Sequence, residues 1–187
     1  SIVVLKLQLK WGIMKLSFCI TCKGRLSHLK KTLPLNLELC ALFPGEIEVL
    51  LLDYQSPDAL RTWVSPYLSG QFRVYTSDSA KYFHMAHAKN VIHRKAKGDW
   101  LCNLDADNFL TLRFLETVLS FKKEEISFGR GGCSGRICLR RDLFYSLGGY
   151  DEEFQGWGMD DKDLLYRAVH GFQAFPVDIS NLAPFIE

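Results

Sequence analysis

Apolar residues in this chain come in short continuous runs, and most runs are followed by stretches in which they recur at helical spacing. Lys15 to Thr21 (KLSFCIT) predicts a buried strand. Behind it, Leu26, Leu29, Leu33, Leu37 and Ala41 predict a helix over 27–42, kinked or divided at Pro34. Ile47 to Leu52 is broken only by Glu48 and predicts a parallel strand buried on both faces. A helix over 58–67, led by Pro57, and a short strand over 72–75 follow. Met85 to Lys95 predicts a third helix with Ala86, Asn90, Val91 and Ala96 on its inner side, and Trp100 to Leu104 the next strand. The second half is more mixed. It predicts helices over 111–122 and 141–147, a strand near 137–139, a last helix carrying Leu164, Leu165, Ala168 and Val169 and closed by His170-Gly171, and a strand over 172–177. Gly129-Arg130-Gly131-Gly132 predicts a flexible loop between them.

Strands that alternate with helices build a mostly parallel sheet covered by helices, so the expectation is one doubly wound α/β domain. Its boundaries are placed at 14–187, because Met14-Lys15 stands just before the first strand. Residues 1–13 are expected to be an extension, not necessarily native; they lack the small-residue cleavage site of a secretory signal. No run reaches the roughly 18 to 20 apolar residues of a spanning helix.

Composition narrows this little. Hydrophobic residues make up 48% and charged residues 24%, with a net charge of +2, which demands neither a nucleic-acid partner nor a membrane patch. Basic residues cluster from Lys81 to Lys97, either to attract phosphate or as a solvated face. Six cysteines are too few for a disulfide scaffold at this length. Cys19-x-x-Cys22 has the spacing of a redox or zinc half-site, but on a strand those positions point to opposite faces. Buried free thiols are the default, and they fit a reducing cytoplasm.

Candidate chemistry lies at two acidic points. The predicted strand over 100–104 runs into Asp105-Ala106-Asp107, and alternate residues of an extended segment share one side. Two hard carboxylates just past a strand's carboxyl end suit Mg²⁺ or Mn²⁺ on a phosphate ligand; an ordinary acidic turn is the competing reading. Asp160, Asp161 and Asp163 open the last helix, where capping and the helix dipole favour carboxylates anyway. Gly156-Trp157-Gly158, just before, is not needed for capping. Glycines around a large aromatic suggest a loop that approaches a ligand, with Trp157 offering a flat face to a sugar and an Asp acting as general base. His84, His87 and His93 do not share one helix face, so surface or hydrogen-bonded roles are expected of them; Trp63 and Trp100 are expected in the core. Tyr150 and Phe154 either pack this loop or meet an acceptor.

Taken in order, LLDYQSPD ending at Asp58, AKNVIHRKAKGDWLCNLDADN and GGYDEEFQGWGMDDKDL resemble the GT-A-type inverting glycosyltransferases, above all the large family 2 group. The segment GWGMDDKDL is also similar to the W-G-G-E-D-D-D motif of the β-1,4-galactosyltransferases and to chondroitin-type polymerases. The likeness runs from about Lys15 to Val177. It implies a GT-A fold, a nucleotide-sugar donor, a divalent cation and single displacement at the anomeric carbon. By that resemblance Asp105 and Asp107 are the D-x-D metal ligands, Asp161 is the catalytic base, and Asp160 before it touches the acceptor or donor sugar, together with Trp157 and Gly158. Thr21, Lys23, Arg25, Asp53, Asn90 and Arg94 fall where relatives hold the donor nucleotide.

The sequence departs from that pattern in three places. Tyr54 replaces the second Asp of the usual D-D-x-S, which affects uracil recognition. Met159 replaces a Gly before the Asp pair, which affects donor-sugar choice. The histidine that many relatives place after the acidic helix as a third metal ligand has no counterpart in Asn181 to Glu187, and His170 comes too early and is expected to cap the helix end. The expected activity is a metal-dependent hexosyl transfer, with Mn²⁺ or Mg²⁺, from a UDP-sugar to a glycan or lipid-linked acceptor. The expected setting is the cytoplasm, with room for peripheral membrane contact. The alternative is a non-catalytic sugar- or nucleotide-binding module with a degenerate site. A nucleotidyltransferase would need more glycine than Cys22-Lys23-Gly24-Arg25 offers after the first strand.

Overall fold

In chain order the elements are β1 (Leu16–Cys22), α1 (Leu26–Cys40), β2 (Ile47–Asp53), α2 (Leu60–Val64), β3 (Phe72–Thr76), α3 (Met85–His93), β4 (Trp100–Asn103), α4 (Leu112–Leu119), β5 (Glu125–Phe128), β6 (Cys138–Arg140), α5 (Arg141–Ser146), α6 (Met159–Phe172) and β7 (Phe175–Asp178). They belong to a computed structural model that describes residues 16–77, 82–154 and 158–186. The extension expected over 1–13 lies outside these residues.

β1 and β2 are apolar almost throughout, so both of their faces must be covered. They lie inside a five-stranded sheet ordered β3-β2-β1-β4-β6, in which β6 alone runs antiparallel. Alternate strand residues feed two cores. Phe18, Ile20, Val49 and Leu51 meet α1, α2 and α4 on one face. Cys19, Leu50, Leu52 and Leu101 meet α3, α5 and α6 on the other. Cys19 and Cys22 belong to these opposite cores, and all six cysteines are free and buried.

α1 and α2 cover one face while α3, the next connection, covers the other. The winding therefore reverses between β1 and β4. In open α/β sheets the crevice at that reversal, beyond the carboxyl ends of the strands, is where ligands bind.

Several boundaries differ from expectation. α1 continues through Pro34 as one helix, held in the core by Leu29 and Leu33 before it and by Cys40 after it. α2 stops early and becomes a 3-10 turn at Ser65–Tyr67, because Pro66 has no N–H for the helical ladder. α6 runs past His170 to Phe172 and ends at Gln173, which adopts a left-handed φ of 55°, so His170 does not close it. β5 was not anticipated; it pairs with β7 in a small parallel sheet of its own. Among the described residues no helix is long and apolar enough to cross a membrane.

Candidate active site

Asp105 and Asp107 follow β4 directly, and each is held by an asparagine. Asn103 Nδ2 donates to Asp105 Oδ1 at 3.1 Å and to the Gly135 carbonyl at 2.8 Å. Asn108 Nδ2 donates to Asp107 Oδ1 at 2.9 Å and to the Gly132 carbonyl at 3.2 Å. The D-x-D segment is thereby tied twice to the glycine loop before β6. It is also held from below by α1: Thr32 Oγ1 donates to the Ala106 carbonyl at 2.7 Å, and Asn36 bonds the backbone of Asn108 and Leu110. On its outer side the Ile186 N–H donates to the Asp107 carbonyl at 2.9 Å.

The second acidic point comes to the same place. Gly158, at φ 85°, turns the chain into α6 in a conformation that L side chains rarely adopt, and Asp160 and Asp161 occupy the first turn. Lys89 of α3 is fully buried, and its Nζ donates to Asp160 Oδ2 at 2.8 Å and to Asp161 Oδ1 at 2.7 Å. Gly135 marks the meeting point: a Cβ there would lie 2.7 Å from Asp105 Oδ2 and 3.2 Å from Asp161 Oδ2. The two carboxylates therefore face each other across the width of one side chain, in the space that this glycine leaves free.

Burial, reinforced by Asp160 and Asp105 and opposed by Lys89, pushes the Asp161 carboxyl up to about 6. Burial likewise raises Asp105, against the pull of Lys89 and the Asn103 hydrogen bond. Burial alone would lower the Lys89 ammonium, but Asp161, Asp105 and Asp160 together outweigh it and raise it, so it stays charged. Arg136, also buried, lies behind the D-x-D segment over the Phe114 ring at 5.1 Å, and its Nη2 donates to the Pro184 carbonyl at 3.3 Å.

Thr21, Lys23, Arg25, Asp105, Asp107, Gly158 and Asp161 line one cleft of about 350 Å³, together with Phe83 and Met85. Arg25 Nη2 pairs with Asp107 Oδ2 at 2.8 Å across the β1–β4 reversal. Asp160 lies just behind Asp161 on Lys89. Three other residues expected at the donor lie outside this cleft. Asp53 is buried, with Oδ2 on Arg61 Nε and Oδ1 accepting from the Ser56 N–H, both at 2.7 Å. Asn90 bonds both backbone groups of Tyr150 and also Glu152, and with Arg94 it lines a separate depression of about 470 Å³. Trp157 lies outside the described residues.

Lys89, Asn103, Asn108 and Gly135 are site residues that the sequence reading passed over. For Lys89 a signal existed: it falls on the inner helix face with Ala86 and Ile92, where an unpaired lysine is not tolerated. The histidines of this region are all engaged. His84 Nδ1 caps α3 by accepting from the His87 N–H, His87 pairs with Glu152, and His93 Nδ1 donates to the Lys89 carbonyl.

Hard oxygens on Asp105 and Asp107, which both line the cleft, suit Mn²⁺ or Mg²⁺ bound by one or two carboxylates and completed by phosphate and water, with Arg25 moving off Asp107. Among the described residues no group of three or more His, Cys, Asp or Glu could hold such an ion alone. The donor set fits a cation shared with a diphosphate, not an all-protein cage.

The family model described as glycosyl transferase family 2 matches residues 17–129, more than half of the chain, and the chain belongs to that family. A second model, described as the N-terminal domain of galactosyltransferase, matches residues 118–179, the span that holds the glycine loop and the acidic helix. No curated protein matches the sequence. Among solved structures, the mannosyltransferase PcManGT from Pyrobaculum calidifontis, in complex with GDP-Man and Mn²⁺, is similar with a TM-score of 0.73 at 16% identity, over 97% of this chain and 62% of that one. S. aureus TarS 1-349 in complex with UDP is similar with a TM-score of 0.68 at 16% identity, over 83% of this chain and 55% of that one. The same TarS fragment with UDP-GlcNAc gives 0.68 at 17% identity, over 83% and 53%. The fold is GT-A, and the chain spans between 53% and 62% of these neighbours' length.

Proposed function

We propose that this chain is the catalytic domain of an inverting glycosyltransferase that moves a sugar from a UDP-sugar to a hydroxyl of a glycan or lipid-linked acceptor. The observation that carries the reading is the convergence of Asp105 and Asp161 on Gly135, inside one cleft that also contains Lys23 and Arg25. Neighbours of this fold are crystallised with UDP, UDP-GlcNAc and GDP-Man, which supports a nucleotide-sugar donor.

Asp105 and Asp107 would hold Mn²⁺ or Mg²⁺, which when bound neutralises the charge that develops on the leaving diphosphate. Lys23 and Arg25 add positive charge at the same end; Arg25 is already within reach through its ion pair with Asp107. Lys89 occupies Asp161 Oδ1, which leaves Oδ2 facing the open space at Gly135. As the acceptor oxygen bonds to the anomeric carbon, its proton passes to Asp161, and the bond from that carbon to the diphosphate oxygen breaks. Asp160 keeps Lys89 in place. Trp157 and Gly158, before α6, would meet the sugars. Free, buried thiols support a reducing compartment such as the cytoplasm.

The Arg25–Asp107 pair also favours a second reading, a binding module whose cation site is closed by its own arginine. Incubation with UDP-sugars and Mn²⁺ separates the two. The transferase releases UDP, slowly by hydrolysis and faster with a suitable acceptor, and a binding module releases none.

A further inference from the structure

We infer that Arg25 is an exchange residue: it competes with a divalent cation for Asp107 and, once displaced, pairs with the donor diphosphate. This rests on the transferase reading above.

Both oxygens of Asp107 have partners. Oδ1 accepts from Asn108 Nδ2 at 2.9 Å, and that amide is anchored in turn on the Gly132 carbonyl. Oδ2 accepts from Arg25 Nη2 at 2.8 Å. Asn108 is the next residue in the chain and moves with Asp107, so its bond persists when a ligand enters. Oδ2 is therefore the oxygen at which a cation binds, and the guanidinium stands on it. A guanidinium and a divalent cation repel each other at that separation, so one excludes the other.

Arg25 is built to move as a side chain alone. Its carbonyl accepts from the His28 and Leu29 N–H groups at the start of α1, at 3.1 and 3.2 Å. The same helix end is held by the Leu26 N–H on Asp58 and by Thr32 on the Ala106 carbonyl. Among the described residues the one ion pair of Arg25 is with Asp107, and its Nε is buried with no hydrogen-bond partner. The pair is partly open to solvent, with 36% of the Arg25 side chain and 24% of the Asp107 side chain exposed. Ion pairs this exposed are weak, so a divalent cation displaces the arginine at small cost. The displaced guanidinium then lacks an anion, and a diphosphate in the same cleft supplies one. Lys23 lines the cleft too, but its Nζ lies 5.8 Å over the Tyr54 ring and not on a carboxylate. It meets the diphosphate without releasing a cation site. Each ligand thus prepares the protein for the other. A cation alone leaves Arg25 unpaired, a diphosphate alone leaves Asp107 bare, and the two together leave neither.

The test is calorimetry on the full chain and its Arg25→Ala, Arg25→Gln and Lys23→Ala variants, with Mn²⁺ alone and then with UDP at saturating Mn²⁺. Loss of the competitor predicts that both Arg25 variants bind Mn²⁺ alone roughly two- to tenfold more tightly than the parent. The same variants should bind UDP with Mn²⁺ roughly tenfold more weakly, since one charged partner of the diphosphate is gone. A misfolded variant does not gain affinity, so the opposite signs separate exchange from damage. Lys23→Ala should weaken UDP and leave Mn²⁺ alone within about twofold. Mn²⁺ affinity unchanged or weakened in both Arg25 variants overturns the proposal. An equal gain in Lys23→Ala overturns it too, because any positive charge would then serve. Mn²⁺ that binds the Arg25 variants but not the parent, even with UDP, makes Arg25 a permanent plug and overturns exchange. If neither the parent nor any variant binds UDP with Mn²⁺, the transferase reading itself fails, and the inference with it.

Discussion

The Lys89 ammonium lies 2.7 Å from Asp161 Oδ1, and the lysine has no exposed surface at all. It is a buried cation shared by Asp160 and Asp161 and facing Asp105, so it both orients the proposed base and balances three carboxylates. Removing one member of a buried ion cluster leaves the others uncompensated. Lys89→Met is therefore expected to destabilise the fold by about 3 kcal/mol or more, with Lys89→Arg recovering part of the loss. Urea unfolding of both variants measures this. A Lys89→Met protein as stable as the parent would remove Lys89 from the account.

Asp161, pushed up to about 6, must be ionised to accept a proton. Transfer should accordingly fall as pH drops through about 6, by roughly tenfold per unit below it, and level off above. The pH profile of kcat/KM checks this, and a profile flat between about 5 and 8 speaks against Asp161 as base.

Gly135 is needed for space. The methyl group of Gly135→Ala would press on Asp105 Oδ2 at 2.7 Å and on Asp161 Oδ2 at 3.2 Å. A displacement of that kind costs about 10²-fold in kcat/KM when the reacting groups are misplaced by an ångström. Kinetics beside a thermal melt should show a loss of rate out of proportion to the loss of stability.

His93 is fully buried, stacked on Phe144 with centroids 5.0 Å apart, and lowered to about 4 chiefly by burial. Its unfolded pKa is about 6.5, so the unfolded chain binds more protons between the two values. The stability that His93 contributes is complete above about 6.5 and is lost as pH falls towards about 4, up to about 3 kcal/mol. His93→Phe should flatten this part of the stability curve. The comparison is urea midpoints of the two proteins from pH 7 down to pH 4, at roughly half-unit steps.

Periodicity made the sheet legible because β1, β2 and the α1 pattern are dominated by Leu, Ile, Val and Phe, and their burial follows directly. β5 escaped because it is four residues long, follows Lys122 to Glu124, and finds its strand partner in β7, some fifty positions away. The D-x-D and acidic-helix carboxylates were legible from their places at element ends. Their convergence on one crevice followed from the family resemblance and is borne out; what was not legible is Gly135, which β6 and the glycine loop bring between them. Asn103 reads as part of a buried strand and Asn108 as a turn residue; only the fold turns them into clamps. Asp53 ends β2 as expected, but Arg61, eight positions on, holds it away from the cleft.

The central claim is that Asp105 and Asp161 share one cleft and divide its work, one serving cation and diphosphate, the other the proton. Calorimetric titration of UDP, with Mn²⁺ and then with EDTA, into the parent chain, Asp105→Ala and Asp161→Asn tests it most directly. The account predicts that UDP binding requires Mn²⁺, weakens roughly tenfold or more in Asp105→Ala, and survives in an Asp161→Asn protein that no longer transfers. UDP affinity indifferent to both EDTA and Asp105→Ala would contradict it.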